Sequence, residues 1–230
     1  VQTVGVVGND LTITNLANGV DNVIKVDKNL QANGNIVITN QEADINVAQG
    51  ASMSGANVTL IATKDNVLVN GGEIKATTGN VNMNASAGVT MKNGSISASA
   101  GNVVANAASN VTINNGTINA QKVDVTAPQL LVNNGTINAN TVEANNAMTL
   151  AGGTVNAANM IAGTAMNISG ATVNTGTGAG LVQAASITMS KGKIIGKDLS
   201  VAATGDYQQS GGSIDATGEL KLDADNATIT

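Results

Sequence analysis

VTINNGTINA from Val111 to Ala120, LLVNNGTINA from Leu130 to Ala139 and MTLAGGTVNA from Met148 to Ala157 align without a gap. Working outward, the same pattern runs through MNISGATVNT from Met166, VTMKNGSISA from Val89 and VLVNGGEIKA from Val67, and more loosely through ITMSKGKIIG from Ile187 and YQQSGGSIDA from Tyr207. These eight starts lie 18 to 22 residues apart, and weaker copies begin at Ile45 and Ile24. A repeat of this length is the mark of a solenoid, in which each unit buries its apolar edge only by stacking on its neighbours.

Within a unit the apolar residues alternate, as strands require, in three short groups. The unit from Val111 gives Val111 and Ile113, then Ile118 and Ala120, then Val123, Val125 and Ala127; the unit from Val67 gives Val67 and Val69, Ile74 and Ala76, then Val81, Met83 and Ala85. A glycine stands between the first two groups, at Gly72, Gly94, Gly116, Gly135, Gly153, Gly192 and Gly212, where a tight corner or a positive φ is expected. Ala171 breaks that column, displaced one place from Gly170.

Asn-Gly between alternating apolar residues is also a hairpin signal. The outward columns argue against hairpins. Thr117, Thr136, Thr154 and Thr172 precede the central apolar residue, and Asn119, Asn138, Asn156 and Asn174 follow it. Identical side chains at a constant offset are what coil-on-coil stacking produces, because they share hydrogen bonds up the stack. Ile74, Ile96, Ile118, Ile137, Val155, Val173, Ile194 and Ile214 are the matching inward residues. The fold expected is all-β, a parallel β-helix of about ten coils of roughly 20 residues with three short strands each. At about 4.8 Å per coil it would be a rod of about 48 Å.

Composition agrees. Tyr207 is the only aromatic residue, Pro128 the only proline, and Phe, Trp, His, Cys and Arg are missing, so the core must be narrow and filled by Val, Ile, Leu, Met and Ala. Met83, Met91, Met148, Met160, Met166 and Met189 fall on inward places and read as core fillers. Tyr207 and Gln209 replace the usual apolar pair, through either a loosened coil or extra room in a neighbour. Charged residues make up 11% of the chain, with a net charge of −5. The ten scattered lysines facing fifteen carboxylates leave no footprint for nucleic acid. No apolar run reaches the length of a membrane helix, and the N-terminus has no signal-peptide pattern.

LTITN at Leu11, VTLIATKDN at Val58, GTINA at Gly116 and Gly135 and GELKLDADN at Gly218 resemble filamentous haemagglutinin repeats over nearly the whole chain. Such repeats occur in large Gram-negative exoproteins exported by two-partner secretion, including adhesins, biofilm scaffold proteins and toxin stalks. The resemblance implies a right-handed β-helix and a secreted, cell-surface location. It implies a shaft whose partners are host or bacterial surface glycans or proteins, or matrix polysaccharide, met partly through regions outside this segment. Residues 1–230 then read as one shaft segment from the interior of a larger exoprotein, with irregular coils over 1–44 and regular repeats over 45–226. Self-association into filaments through exposed ladders or an uncapped end is the second reading.

No catalytic, cofactor-binding or metal-ligating set is expected, and none of the candidates for one carries the chemistry. A polysaccharide-active β-helix, the third reading, needs two carboxyls about 5 to 9.5 Å apart at a sugar site. Asp215, Glu219, Asp223 and Asp225 form the densest acidic patch, but no Arg or His accompanies them and they read as a solvated face. Asp223, Asp225 and Asn226 open like a calcium loop whose glycine and closing glutamate do not follow. Gly176, Gly178 and Gly180 lack the helix a phosphate cradle needs, and read as a flexible corner. A regular hydroxyl array can also bind ice, but Glu73, Lys75, Lys193, Ile195 and Asp215 interrupt the columns. Sequons at Asn57, Asn93, Asn110, Asn115, Asn134 and Asn167 are frequent by composition alone.

Overall fold

The computed structural model describes residues 6–16 and 22–230. The chain is a parallel β-solenoid of about ten turns of about 21 residues. Among the described residues every strand pairing is parallel, between one coil and the next. The coil containing the best repeat runs through Gln129–Asn133, Thr136–Asn138 and Thr141–Ala144. We refer to the stacks built on these three strands as the first, second and third faces.

Register places like on like. On the first face Val67 pairs with Val89, Val89 with Val111, Val111 with Leu130, Leu130 with Met148 and Met148 with Met166. On the second face Ile74, Ile96, Ile118, Ile137, Val155, Val173, Ile194 and Ile214 form one continuous column. All of these but Ile214 are buried; Ile214 is half-buried because it belongs to the last described strand of that face. The core is therefore one narrow cluster of Val, Ile, Leu, Met and Ala, with Tyr207, enclosed by three walls. Burial of a β-branched side chain on a pleated surface is what favours the strand at each step.

Hydrogen bonding joins the three faces into two sheets rather than three. Among the described residues the first face is an eleven-stranded sheet of its own, whereas the second and third belong to one sheet of twenty strands. Two long strands, Ser95–Ala107 and Thr117–Thr126, cause this by passing round the corner without a break. In the latter only Gln121 lies between the paired residues Ala120 and Lys122, so the chain turns by bending an extended strand; the former has three residues there and shows a register shift between Ala98 and Asn102. Stacking in register also crosses residue 45, since Ile24 pairs with Ile45, so the coil from Ile24 to Asn40 is built like those after it. Residues 1–5 and 17–21 of the expected irregular coils lie outside the described residues.

Candidate functional site: outward ladders and corners

Two outward columns run up the second face. Thr117, Thr136, Thr154 and Thr172 pair in succession, as do Asn119, Asn138, Asn156 and Asn174. The amide of Asn138 donates to Oδ1 of Asn119 at 2.7 Å and that of Asn156 to Oδ1 of Asn138 at 2.7 Å, so the amides point one way along the axis. Asn174 ends the run by accepting from the backbone N–H of Gly176 at 3.0 Å. Other coils repeat the device, Asn133 donating to Asn114 at 2.8 Å and Asn106 to Asn84 at 2.7 Å. Each such bond contributes only about 1 kcal/mol net, but the ladder fixes the direction of every side chain in it.

The first corner, between the first and second faces, divides two tasks between adjacent residues. Positive φ belongs to Gly71, Asn93, Asn115, Asn134, Gly152 and Gly170, one place ahead of the expected glycine column. Asn serves there because it tolerates the left-handed region better than other residues with a Cβ. Within the expected column only Gly153 and Gly212 have positive φ. Gly72, Gly94, Gly116, Gly135 and Gly192 are needed instead for close approach. A Cβ on Gly94 would stand 2.8 Å from Cγ1 of Val69, and one on Gly135 2.8 Å from Cγ2 of Ile113. The carbonyls of this column also continue the ladder: Gly94 accepts from Thr117 at 3.0 Å and Gly135 from Thr154 at 2.9 Å. Ala51 and Ala171 occupy the same column, both buried.

The charged residues form small local sets. Lys122 reaches Glu143 at 2.7 Å and Asp124 at 2.9 Å, and hydrogen bonds to these carboxylates raise its pKa. Lys193 pairs with Asp215 at 2.8 Å, which holds that carboxyl below its usual value. Asp223 pairs with Lys221 at 3.2 Å, and Asn226 bonds Asp206 rather than Asp225. Burial, and then the neighbouring Asp44, raises Asp65. Among the described residues no group of three or more His, Cys, Asp or Glu is placed to hold a metal ion. Gly176 and Gly178 stand at an exposed corner, while Gly180 is in the strand Ala179–Ala184 against Thr175. An open cleft of about 510 Å³ lies at the first corner, lined by Gln49, Asn70, Gly71, Lys92 and Asn93. Of the sequon asparagines, Asn93, Asn110, Asn115, Asn134 and Asn167 are exposed and Asn57 is half-buried.

No family model, curated protein or solved structure matches the chain. It is defined by its fold, a β-solenoid of about ten turns.

Several features of this solenoid escape a reading by units. Thr90 stacks on Thr112, and Leu131, Thr149, Asn167 and Thr188 continue that outward column on the first face. The same alignment that reveals the second-face columns contains it, interrupted by Leu131. At the second corner, between the second and third faces, Oδ1 of Asn57 accepts from the N–H of Asn80 at 2.7 Å and Oδ1 of Asn80 from that of Asn102 at 2.8 Å. Asn40 is wholly buried and bonds the carbonyls of Asn22 and Asp44, both at 2.8 Å. Nothing in the unit around Asn40 sets it apart from a surface asparagine. Tyr207 is fully buried, its hydroxyl donating to Oε1 of Gln209 at 2.7 Å, so the unusual pair serves the core together.

Proposed function

We propose that this chain is a length of shaft from a secreted or surface-displayed bacterial adhesin or biofilm matrix protein, of the filamentous haemagglutinin-like kind. Its action is mechanical and non-catalytic, as a stiff spacer and interaction surface outside the cell. The observation that carries this reading is the unbroken register of inward residues from Ile24 to Ala227 on the first face. A stack whose every coil pairs with the next has no internal hinge, and stiffness along the axis follows. The repeat motifs that resemble haemagglutinin units supply the family.

A second reading, a self-associating extracellular filament, has one feature in its favour. The strands Leu220–Asp223 and Asn226–Ile229 expose Leu220 and Ile229, an apolar surface that another copy would cover. Negative-stain electron microscopy of the purified chain across a dilution series separates the two. Short rods of uniform width at all concentrations support the shaft; rods that lengthen with concentration support the filament, and irregular particles would sink both. An adjacent gene for an outer-membrane transporter would further support export by two-partner secretion.

A further inference from the structure

We propose that the second face between Ser95 and Asn174 is a docking strip for a neutral, extended, β-linked polysaccharide lying along the solenoid axis. The proposal rests on the adhesin or matrix reading and names a ligand class and a surface for it.

Charge distribution is the first argument. From residue 93 to residue 190 the only charged residues are Lys122, Asp124 and Glu143. All three stand on the third face, where the lysine pairs with both carboxylates. Over that length the first and second faces carry no charge, so an ionic ligand gains nothing there while a neutral one loses nothing. Charge returns at the strip's two ends, with Glu73 and Lys75 in the coil before Ser95 and with Lys193 and Asp215 beyond Thr172.

The second argument is hydrogen-bonding capacity. Among the described residues no hydrogen bond inside the chain uses the hydroxyls of Thr117, Thr136, Thr154 or Thr172. Asn138 and Asn156 each spend one amide N–H on the neighbouring coil and keep the other, and Asn119 and Asn174 take part in the ladder only as acceptors. A buried Ile or Val between each Thr and Asn fixes both on a rigid strand, which lowers the entropy cost of binding.

Spacing is the third. Coils repeat every ~4.8 Å, close to the advance of one sugar in an extended β-linked chain, so successive sugars can meet equivalent Thr and Asn groups. Five coils, from Ser95 and Ser97 to Thr172 and Asn174, match about five sugars. Without aromatic stacking each contact is weak, and avidity comes from repetition along both polymers. A second copy of the rod shares the spacing but is disfavoured by area. A strip ~24 Å long and ~10 Å wide gives roughly 240 Å², far below the ~800 Å² per partner of a stable interface.

The test is a chemical-shift titration of the purified chain with cellopentaose and, in parallel, with a pentamer of β-linked mannuronate. The expected result is shifts confined to Ser95, Ser97 and the Thr and Asn columns with the neutral sugar, and much weaker ones with the anionic sugar. The double variant Thr136→Val with Thr154→Val should keep the β spectrum and bind at least about fivefold more weakly, as expected for lost hydrogen bonds. Thr136→Ser with Thr154→Ser, which keeps both hydroxyls, should bind like the parent. The proposal is overturned by absent shifts, by shifts on another face, by equal response to the uronate, or by valine variants that bind normally. It is also overturned if the same resonances move with protein concentration alone, which assigns the strip to a second copy. Uniform rods in the microscope with no sugar response would leave the shaft standing and remove only the ligand.

Discussion

The first and second corners of this solenoid obey different rules. At the first, the step from the last inward residue of one face to the central inward residue of the next settles at five positions from Val69 onward, as in Val69 to Ile74, Met91 to Ile96, Ile113 to Ile118, Leu150 to Val155 and Gln209 to Ile214, after four from Val26 to Leu30 and six from Val47 to Met53. At the second, the step from the central inward residue to the first inward residue of the third face is five from Ile118 to Val123 and from Ile137 to Val142, seven from Ile96 to Val103 and nine from Val173 to Val182. From Gly71 onward the first corner holds a left-handed residue followed by one that touches the core, so in those coils a length change would drive a side chain into the preceding coil. At the second corner the added length is carried mainly by exposed residues such as Gly176, Thr177 and Gly178, while Thr175 stays buried beside Gly180. Corner length is free where the added residues lie outside the packing.

The sharpest way to break this contrast is an insertion. Two alanines between Asn134 and Gly135 should lower the melting temperature by about 6 to 12 degrees, the equivalent of a loss on the order of 3 kcal/mol, since they displace a core-contacting residue and a ladder carbonyl at once. The same insertion between Thr177 and Gly178 should cost about 0.5 kcal/mol or less, the loop-entropy increment. Equal losses would refute the distinction.

Next in size is Gly94→Val, whose side chain collides with Val69 and with the carbonyl of Gly72; a loss of about 2 to 3 kcal/mol is expected in urea unfolding. Gly94→Ala should cost less, since Ala51 and Ala171 already fit this column. Asn134→Ala should then cost about 1 kcal/mol for holding an alanine at φ 53°, while Asn134→Gly should be close to neutral. If alanine and glycine behave alike at position 134, the left-handed backbone is not what selects asparagine there.

The smallest effects are alkaline and sample both corners. Tyr207 braces the first corner through Gln209, which donates to the carbonyl of Gly212 at 3.2 Å; Lys122 lies at the second with Asp124 and Glu143. Both groups have pKa values raised in the fold, by burial for Tyr207 and by hydrogen bonds to carboxylates for Lys122. A group whose folded pKa exceeds its unfolded value favours the fold below the unfolded value and loses that contribution as pH rises through the folded one. Stability should therefore fall as pH climbs past the ordinary tyrosine and lysine values of 10.0 and 10.5. With no other tyrosine in the chain, ultraviolet ionisation reads Tyr207 directly, and a midpoint at or below 10.0 would contradict its burial.

The coil, its strand groups and the outward Thr and Asn columns are legible without coordinates, because stacking at one offset writes itself into a repeat. Ile118 over Ile96 and Asn138 over Asn119 need only the period to be found. The corner is where that legibility stops. Asn-Gly reads as one turn signal, yet asparagine takes the left-handed backbone and glycine yields to Val69 or Ile113 in the coil before, an identity set by a neighbour about twenty residues away. Two faces share a sheet because Ser95–Ala107 and Thr117–Thr126 stay extended round a bend, something no local propensity distinguishes from a break. Burial of Asn40 and Tyr207 was likewise decided only in the folded stack, where hydrogen bonds close inside a low-dielectric core and not before. Periodicity along the chain is a local property and the sequence by itself determined it; what each corner residue touches depends on a coil that exists only after stacking, and that belonged to the tertiary structure alone.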